Sequence, residues 1–158
     1  MQPTDLDQVQ AIYAREVQEG TASFELEPPT IVEFEMRWKK VSARGLPWLV
    51  VECDGRLAGY AYAAAYRERP AYDFTVEDSV YVADWARGGG VGAVLLAAVV
   101  AEAQRAGMRQ MVAVIGDSAN HGSVRLHQAC GFVEIGILRA VGRKFDRWLD
   151  TVLMQRTL

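Results

Sequence analysis

The stretch that most limits how this chain can fold runs from Ser79 to Leu96. Ser79-Val-Tyr-Val82 is β-branched and aromatic, the composition of a strand. Arg87 to Gly92 cannot continue that strand, because four of its six residues are glycine and favour positive φ. Val91 to Ala106 is then almost unbroken Ala, Val and Leu, and Gly107 follows as a helix-ending glycine. A strand that feeds a helix through glycines aims free N–H groups and the positive end of the helix dipole at one point. Such a point binds phosphate.

Two common phosphate loops do not fit. A Walker loop needs Lys-Ser or Lys-Thr after its glycines, and neither is present here. A dinucleotide fold needs its glycines after the first strand, with an acidic residue roughly 20 positions further on. Here the loop lies past mid-chain and Arg109-Gln110 occupies that region. What remains is Arg87-x-x-Gly90-x-Gly92, with a plain strand–turn–helix as the alternative.

A chain of 158 residues suits one domain with a real core. With 51% hydrophobic and 23% charged residues it reads as globular rather than disordered. A net charge of −3 carries no basic footprint for nucleic acid. Cys53 and Cys130 stand far apart in apolar company, and His121 and His127 are the only histidines, so no metal-ligand spacing exists. Two buried thiols and no signal peptide imply a cytoplasmic protein. The longest apolar run, Val91 to Ala101, is too short to span a bilayer.

Taken in order, Asp5 with Gln8 predicts a helix start, continued by Leu6, Val9, Ile12, Tyr13 and Val17 on one face and ended by Gly20. Thr30-x-x-Glu33 predicts a second helix to about Ala43. Trp48 to Glu52 and Arg56 to Tyr66 read as a hairpin around Asp54-Gly55. Arg67 to Asp73 reads as a loop and Phe74 to Val82 as the central strand. Gln110 to Ile115 is another strand, followed by a turn over Gly116 to Asn120 and a short helix ending at Gly131. Phe132 to Val141 and Trp148 to Gln155 close the chain as strands around a Gly142 to Arg147 loop. The expected architecture is a mixed α/β sandwich, a central mixed sheet flanked by helices.

This order resembles the GNAT N-acetyltransferases, whose acyl-CoA pyrophosphate loop is Arg-x-x-Gly-x-Gly. Five local motifs narrow the likeness to the phosphinothricin and methionine sulfoximine acetyltransferase branch. They are Ala22-Ser-Phe-Glu25, Asp54-Gly-x-x-x-Gly-Tyr-Ala61, Thr75-Val-Glu-x-Ser-Val-Tyr-Val82, Asn120-x-x-Ser-x-x-Leu-His-x-x-x-Gly-Phe132 and Gly142-x-Lys-Phe-x-x-Trp-x-Asp150. Two departures are visible. Only Met1 to Thr4 precedes the first helix, so the family's first strand is shortened or missing, and the Gly116 to Asn120 loop is one residue longer than usual.

The resemblance implies acetyl-CoA as co-substrate, no metal, a small amine substrate and a homodimer, with no nucleic acid or membrane partner. It implies that Glu77 is the general base for an incoming ammonium group, against the plain reading of a solvated strand charge. Val80, Tyr81 and Val82 would offer backbone groups to pantetheine, with the Val82 N–H steadying the oxyanion. Arg87, Gly88, Gly89, Gly90, Val91, Gly92 and Ala93 would form the pyrophosphate site. Asn120 and Ser123 would meet the cofactor or simply cap their helix. His127, where many relatives carry tyrosine, would protonate the departing thiolate or serve as a structural histidine. Arg67, Arg69, Pro70, Ala71 and Tyr72 would line the substrate pocket, with an arginine gripping a carboxylate. Phe24, Lys144 and Trp148 would wall the same pocket, from this subunit or from the partner in a homodimer.

Overall fold

The second helix starts where its spacing requires. In this computed structural model, which describes residues 1–158, the Thr30 hydroxyl accepts the Glu33 N–H at 3.3 Å and the Glu33 carboxylate accepts the Thr30 N–H at 2.8 Å. The first helix begins differently from its sequence reading. Asp5 does not cap it, because Pro3 to Asp5 form a single 3-10 turn that brings the Asp5 carboxylate back onto the Gln2 N–H at 2.6 Å. No strand precedes that turn.

The elements are α1 (Leu6–Glu19), α2 (Ile31–Ser42), β1 (Trp48–Cys53), β2 (Arg56–Ala65), β3 (Thr75–Val82), α3 (Val91–Arg105), β4 (Gln110–Gly116), α4 (His121–Ala129), β5 (Val133–Lys144) and β6 (Arg147–Thr157). The six strands form one mixed sheet in the order β1-β2-β3-β4-β6-β5. Every neighbouring pair is antiparallel except β3 with β4. The β1–β2 hairpin turns on Asp54 and Gly55, both at positive φ (52° and 73°), as the Asp-Gly pair requires.

Side chains alternate across the sheet, so each strand feeds two separate layers. One layer is aromatic. Tyr13 of α1 meets Tyr81 edge-on at 5.0 Å, Phe34 of α2 meets Trp48 and Tyr60, and Trp48 stacks on Tyr62 at 4.1 Å. The other layer is aliphatic, with Leu95, Leu96, Val99 and Val100 of α3 packed among Ala61, Ala63, Val76, Met111 and Ala113. Gly59 is required there: a Cβ would lie 2.7 Å from the Tyr81 carbonyl and 3.2 Å from Leu95. Helices α1 and α2 pack on β1, β2 and β3. Beyond β3 that sheet face passes to Val114 and Leu138, which remain exposed.

Two further expectations are corrected. The closing loop is shorter than Gly142 to Arg147. β5 runs on to Lys144, which pairs with Arg147, and Phe145 and Asp146 alone make the turn at φ of 51° and 55°. No glycine marks that turn, so its sequence signal is weak. The two thiols are half-buried and unpaired rather than buried, since Cys53 ends a strand at a hairpin and Cys130 caps α4.

Candidate active site

The parallel ladder between β3 and β4 covers only Thr75, Val76 and Glu77, whose partners are Gln110, Met111 and Val112. On its other side β3 stays paired with β2 as far as Val82. The Ala83 N–H then bonds the Ala58 carbonyl at 2.9 Å, so Ala83 turns its backbone toward β2. Backbone groups alternate along a strand, so those of Val82 and Val80 point away from β2, into the gap that β4 has left. Two adjacent strands therefore part at Glu77 and leave a fork with unused donors and acceptors.

The fork opens into a groove of about 1210 Å³. Val80, Tyr81 and Val82 form one wall, and Arg87, Gly88, Gly90, Val91 and Gly92 form the end. Asn120 and Ser123 of α4 form the opposite wall. Gly89 and Ala93, expected in the same set, do not line it, and the Ala93 N–H is already spent on the Gly90 carbonyl at 3.0 Å. Gly90 caps α3 at φ 81° with no side-chain bond, and the N–H groups of Gly88 through Gly92 reach no backbone carbonyl. Five free amides at the positive end of a 15-residue helix suit a diphosphate. The donor set fits the pantetheine and pyrophosphate of acetyl-CoA.

Arg87 sits at the rim, paired with Asp84 at 3.0 Å and Glu16 at 3.3 Å. Asn120 does cap its helix, its Oδ1 accepting the Ser123 N–H at 3.2 Å. Capping and cofactor contact are compatible here, because the Asn120 amide nitrogen is left over and both residues face the groove.

Glu77 stands at the root of the fork on the aromatic face, beside Ala64 of β2 and Val112 of β4. Burial, with the Asp78 charge adding to it, pushes its carboxyl up to about 7. The neighbouring β4 row runs from Val112 through Val114 to Gly116. Phe24 closes the far end of that row. A Cβ on Gly142 would lie 2.2 Å from the Phe24 ring, and one on Gly116 would lie 3.0 Å from it. The ring requires Gly142, while Gly116 is required first by the Thr21 and Ala22 carbonyls, 2.6 and 2.9 Å from such a Cβ. The buried Lys144 ammonium donates to the Ser23 carbonyl at 2.7 Å and holds that segment down. Burial lowers the Lys144 affinity for its proton. Trp148, grouped with these two, lies on the outer surface at 68% exposure, where only a partner subunit's pocket is within its reach.

Arg67, Arg69, Pro70, Ala71 and Tyr72 occupy the β2–β3 connection, with Pro70 to Tyr72 in a 3-10 turn. None of them lines the groove. They lie at the Glu77 end of the sheet, where the Tyr66 N–H bonds the Thr75 carbonyl at 3.2 Å. The Arg67 guanidinium rests 5.0 Å from the Tyr66 ring and 5.7 Å from the Tyr72 ring, and Arg69 is exposed.

His127 does not line the groove either. It is buried on the aliphatic side, its Nε2 3.0 Å from Asp78 Oδ2 and its Nδ1 2.7 Å from the Ser123 carbonyl. Asp78 is the residue that the sequence reading missed. Val76-x-Asp78-x-Val80 places a carboxylate inside an apolar row, and that misfit is a signal for a buried partner.

Gly92 offers a direct check on the groove. A Cβ there would sit 3.2 Å from Leu126, so a longer side chain points into the groove. Gly92→Asp adds bulk and negative charge where the free amides converge. Acetyl-CoA should protect the wild type against heat, and this variant should lose that protection while keeping its own melting point within a few degrees. Differential scanning fluorimetry with and without acetyl-CoA measures both.

Residues 9–132 match the acetyltransferase (GNAT) family. A phosphinothricin N-acetyltransferase of Alcaligenes faecalis is 55% identical over 154 residues, covering 98% of this chain and 78% of its own. An L-methionine sulfoximine/L-methionine sulfone acetyltransferase of Pseudomonas paraeruginosa is 40% identical over 156 residues, covering 98% and 90%. The crystal structure of a GNAT phosphinothricin acetyltransferase from Sinorhizobium meliloti, in complex with AcCoA, superposes with a TM-score of 0.96 at 42% identity, covering all of this chain and 85% of that one. The forked sheet, its amide-rich helix start and these likenesses agree: the chain belongs to the GNAT family of acetyl-CoA-dependent N-acetyltransferases.

Proposed function

We propose that this enzyme acetylates the α-amine of a small amino-acid analogue of the methionine sulfoximine, methionine sulfone or phosphinothricin type. The observation that carries the chemistry is Glu77: a half-buried carboxyl, held near neutrality, at the point where the strands part. An amine arrives at neutral pH as an ammonium ion and cannot attack until it loses a proton. Glu77 accepts that proton, directly or through one water. Acetyl-CoA supplies the thioester whose carbonyl carbon the freed amine attacks. The Val82 N–H, facing the gap, donates to the oxygen that gains charge in that step. The new C–N bond forms, the C–S bond breaks, and the thiolate leaves without a protein acid, the second proton shed by the amine nitrogen balancing its charge through solvent. The expected donor, His127, has its ring nitrogens engaged by Asp78 and the Ser123 carbonyl. Transfer is direct, with both substrates bound together. A cytoplasmic detoxifying enzyme is the setting this reading implies.

The substrate's amine end meets Glu77, and its carboxylate meets Arg67 or Arg69 at the same end of the sheet. Phe24, across Val114, bounds the other side of the pocket. Homodimerisation fits the same picture. β5 is a sheet edge, and the β5–β6 hairpin exposes Val133, Ile135, Leu138, Val141, Phe145 and Trp148. An apolar edge of that length calls for a cover, and a second copy would also roof the open face beside Glu77.

The base is tested through pH. Glu77 must be deprotonated to act, so turnover should rise with pH through about 7, where its carboxyl titrates. Glu77→Gln keeps the shape but takes no proton. It should lower kcat by roughly 10²–10⁴-fold with acetyl-CoA binding intact. Steady-state CoA-thiol release against pH measures this, and wild-type turnover in the variant would exclude Glu77 as the base.

For the carboxylate, alanine at Arg67 or Arg69 should raise the KM for the amino-acid substrate far more than that for acetyl-CoA. Loss of a charge-assisted contact of this kind costs roughly 2–5 kcal/mol. If both single variants leave that KM unchanged, the carboxylate is held elsewhere.

Sedimentation equilibrium should return twice the 17.5 kDa chain mass. Trp148→Glu together with Val141→Glu should return the single-chain mass. A monomeric wild type would rule out the homodimer.

A further inference from the structure

Back to back with the base, on the other face of β3, lies a second carboxylate whose role the reaction above does not use. Asp78 is 6% exposed and His127 is 4% exposed, and their Oδ2 and Nε2 atoms are 3.0 Å apart. The other ring nitrogen lies 2.7 Å from the Ser123 carbonyl, with the Ser123 hydroxyl at 3.4 Å. A carbonyl oxygen can only accept, so Nδ1 carries a hydrogen. Nε2 faces a carboxylate, which favours a second hydrogen there and so the imidazolium form. Phe132 covers the ring edge-on at 5.0 Å, and Asp78 Oδ1 is buried without a protein partner.

The pair has a particular address. The β3–β4 ladder ends at Glu77, so Asp78 is the first residue of β3 beyond the fork. His127 is the one buried side chain of α4, a helix of nine residues. The same helix presents Asn120 and Ser123 to the groove, and Ser123 itself touches the His127 ring. α4 packs on α3, β4 and β5 with Val124 and Leu126 against the core, and its one side-chain bond to β3 is this ion pair, while its first turn forms a wall of the cofactor site.

We propose that Asp78 is a positioning residue: its carboxylate pins His127 at the root of the fork and, through His127, holds the Asn120–Ser123 turn in register for acetyl-CoA. This rests on the acetyltransferase reading and gives His127 the work of an anchor rather than that of an acid. The pair is also a pH-dependent one. Burial, the largest single influence, lowers the proton affinity of the imidazole, but the Asp78 bond and charge and the Ser123 carbonyl together hold it above its ordinary range. The pair's contribution is therefore complete below the ordinary histidine range and is lost as pH rises through the raised value. The groups around it are few. Glu77 faces the opposite side of β3, Cys130 follows on the α4 cap, and the Arg156 guanidinium of β6 is bonded to the Cys130 carbonyl. On this side of the sheet α3 and β4 bury apolar side chains, among them Leu96, Val99, Met111 and Ala113.

The experiment measures acetyl-CoA affinity by calorimetry across pH 6 to 9, alongside steady-state kinetics. In the wild type, affinity should weaken as pH rises through the histidine titration. Asp78→Asn should weaken acetyl-CoA binding by roughly 5- to 150-fold, the usual span of coupling between sites, and should flatten that pH dependence. The KM for the amine should change little. Removal of the Asp78 charge should also move the Glu77 limb of the kcat profile to lower pH, which an uncharged packing role for Asp78 would leave in place. Should the single variant fold poorly, the paired apolar replacement Asp78→Val with His127→Leu removes both charges together. It should fold, bind acetyl-CoA and show no histidine-range pH dependence. Wild-type affinity and pH dependence in either variant overturns the proposal while leaving the base intact. A wild type that binds no acetyl-CoA at any pH overturns the acetyltransferase reading with it.

Discussion

The site depends on hydrogen bonds that are not made between β3 and β4. Three residues of pairing, ending at Glu77, hold the two strands together at one end. After that β4 follows β6, to which it is paired from Gln110 to Gly116, while β3 follows β2 to Val82. Each strand has a committed partner on its outer side, so neither can close the gap. An unpaired backbone group inside a protein is costly, which makes the open edge a binding site for an extended, amide-bearing ligand. The glycine loop then fixes the direction, because the free amides of α3 lie where β3 ends.

The parting of the strands also sorts the charges. Residues alternate across the sheet, so Glu77 and Asp78 are neighbours in sequence and strangers in space. One looks to the aromatic side and is half-buried without a countercharge, so it keeps its proton to about 7. The other looks to the aliphatic side and has His127. Had the pattern been shifted by one residue, the paired carboxylate would lie on the aromatic face and the unpaired one in the aliphatic core. The first would be a poor base, being held ionised. The second would destabilise the fold.

Much of this was legible in the chain, and what was hidden has a common cause. Local chemistry announced itself: Thr30 with Glu33, Asp54-Gly55, and the glycines before Val91 each fix a backbone conformation within a few residues. The Asp5 cap misled because Pro3, two residues earlier, favours a 3-10 turn that uses the same carboxylate. The Phe145-Asp146 turn was hidden because nothing local demands it; its register follows from strand pairing and from Lys144, anchored to a carbonyl 121 positions away. The fork itself is a long-range fact, and only the family likeness anticipated it. Asp78 lay in plain view as a charge in an apolar row, but its partner is 49 positions further along.

Phe24 shows how such distant constraints fix an irregular segment. Its ring lies against Gly116 of β4 and Gly142 of β5, two strands that are separated in the sheet by β6. Neither glycine needs a positive φ, so neither is present for the sake of its own backbone. Each is small because a side chain there would collide with this segment, at Gly142 with the ring and at Gly116 first with the Thr21 and Ala22 carbonyls. Lys144 then holds the segment from the far end of β5, and Tyr13 of α1 bonds the Ser23 hydroxyl at 2.9 Å. A segment with no regular structure of its own is thereby fixed from three sides. That rigidity keeps one aromatic ring fixed at the far end of the β4 row that starts beside Glu77. It also explains a buried lysine that no carboxylate neutralises at contact distance: its work is to grip a backbone carbonyl, and burial makes that grip stronger.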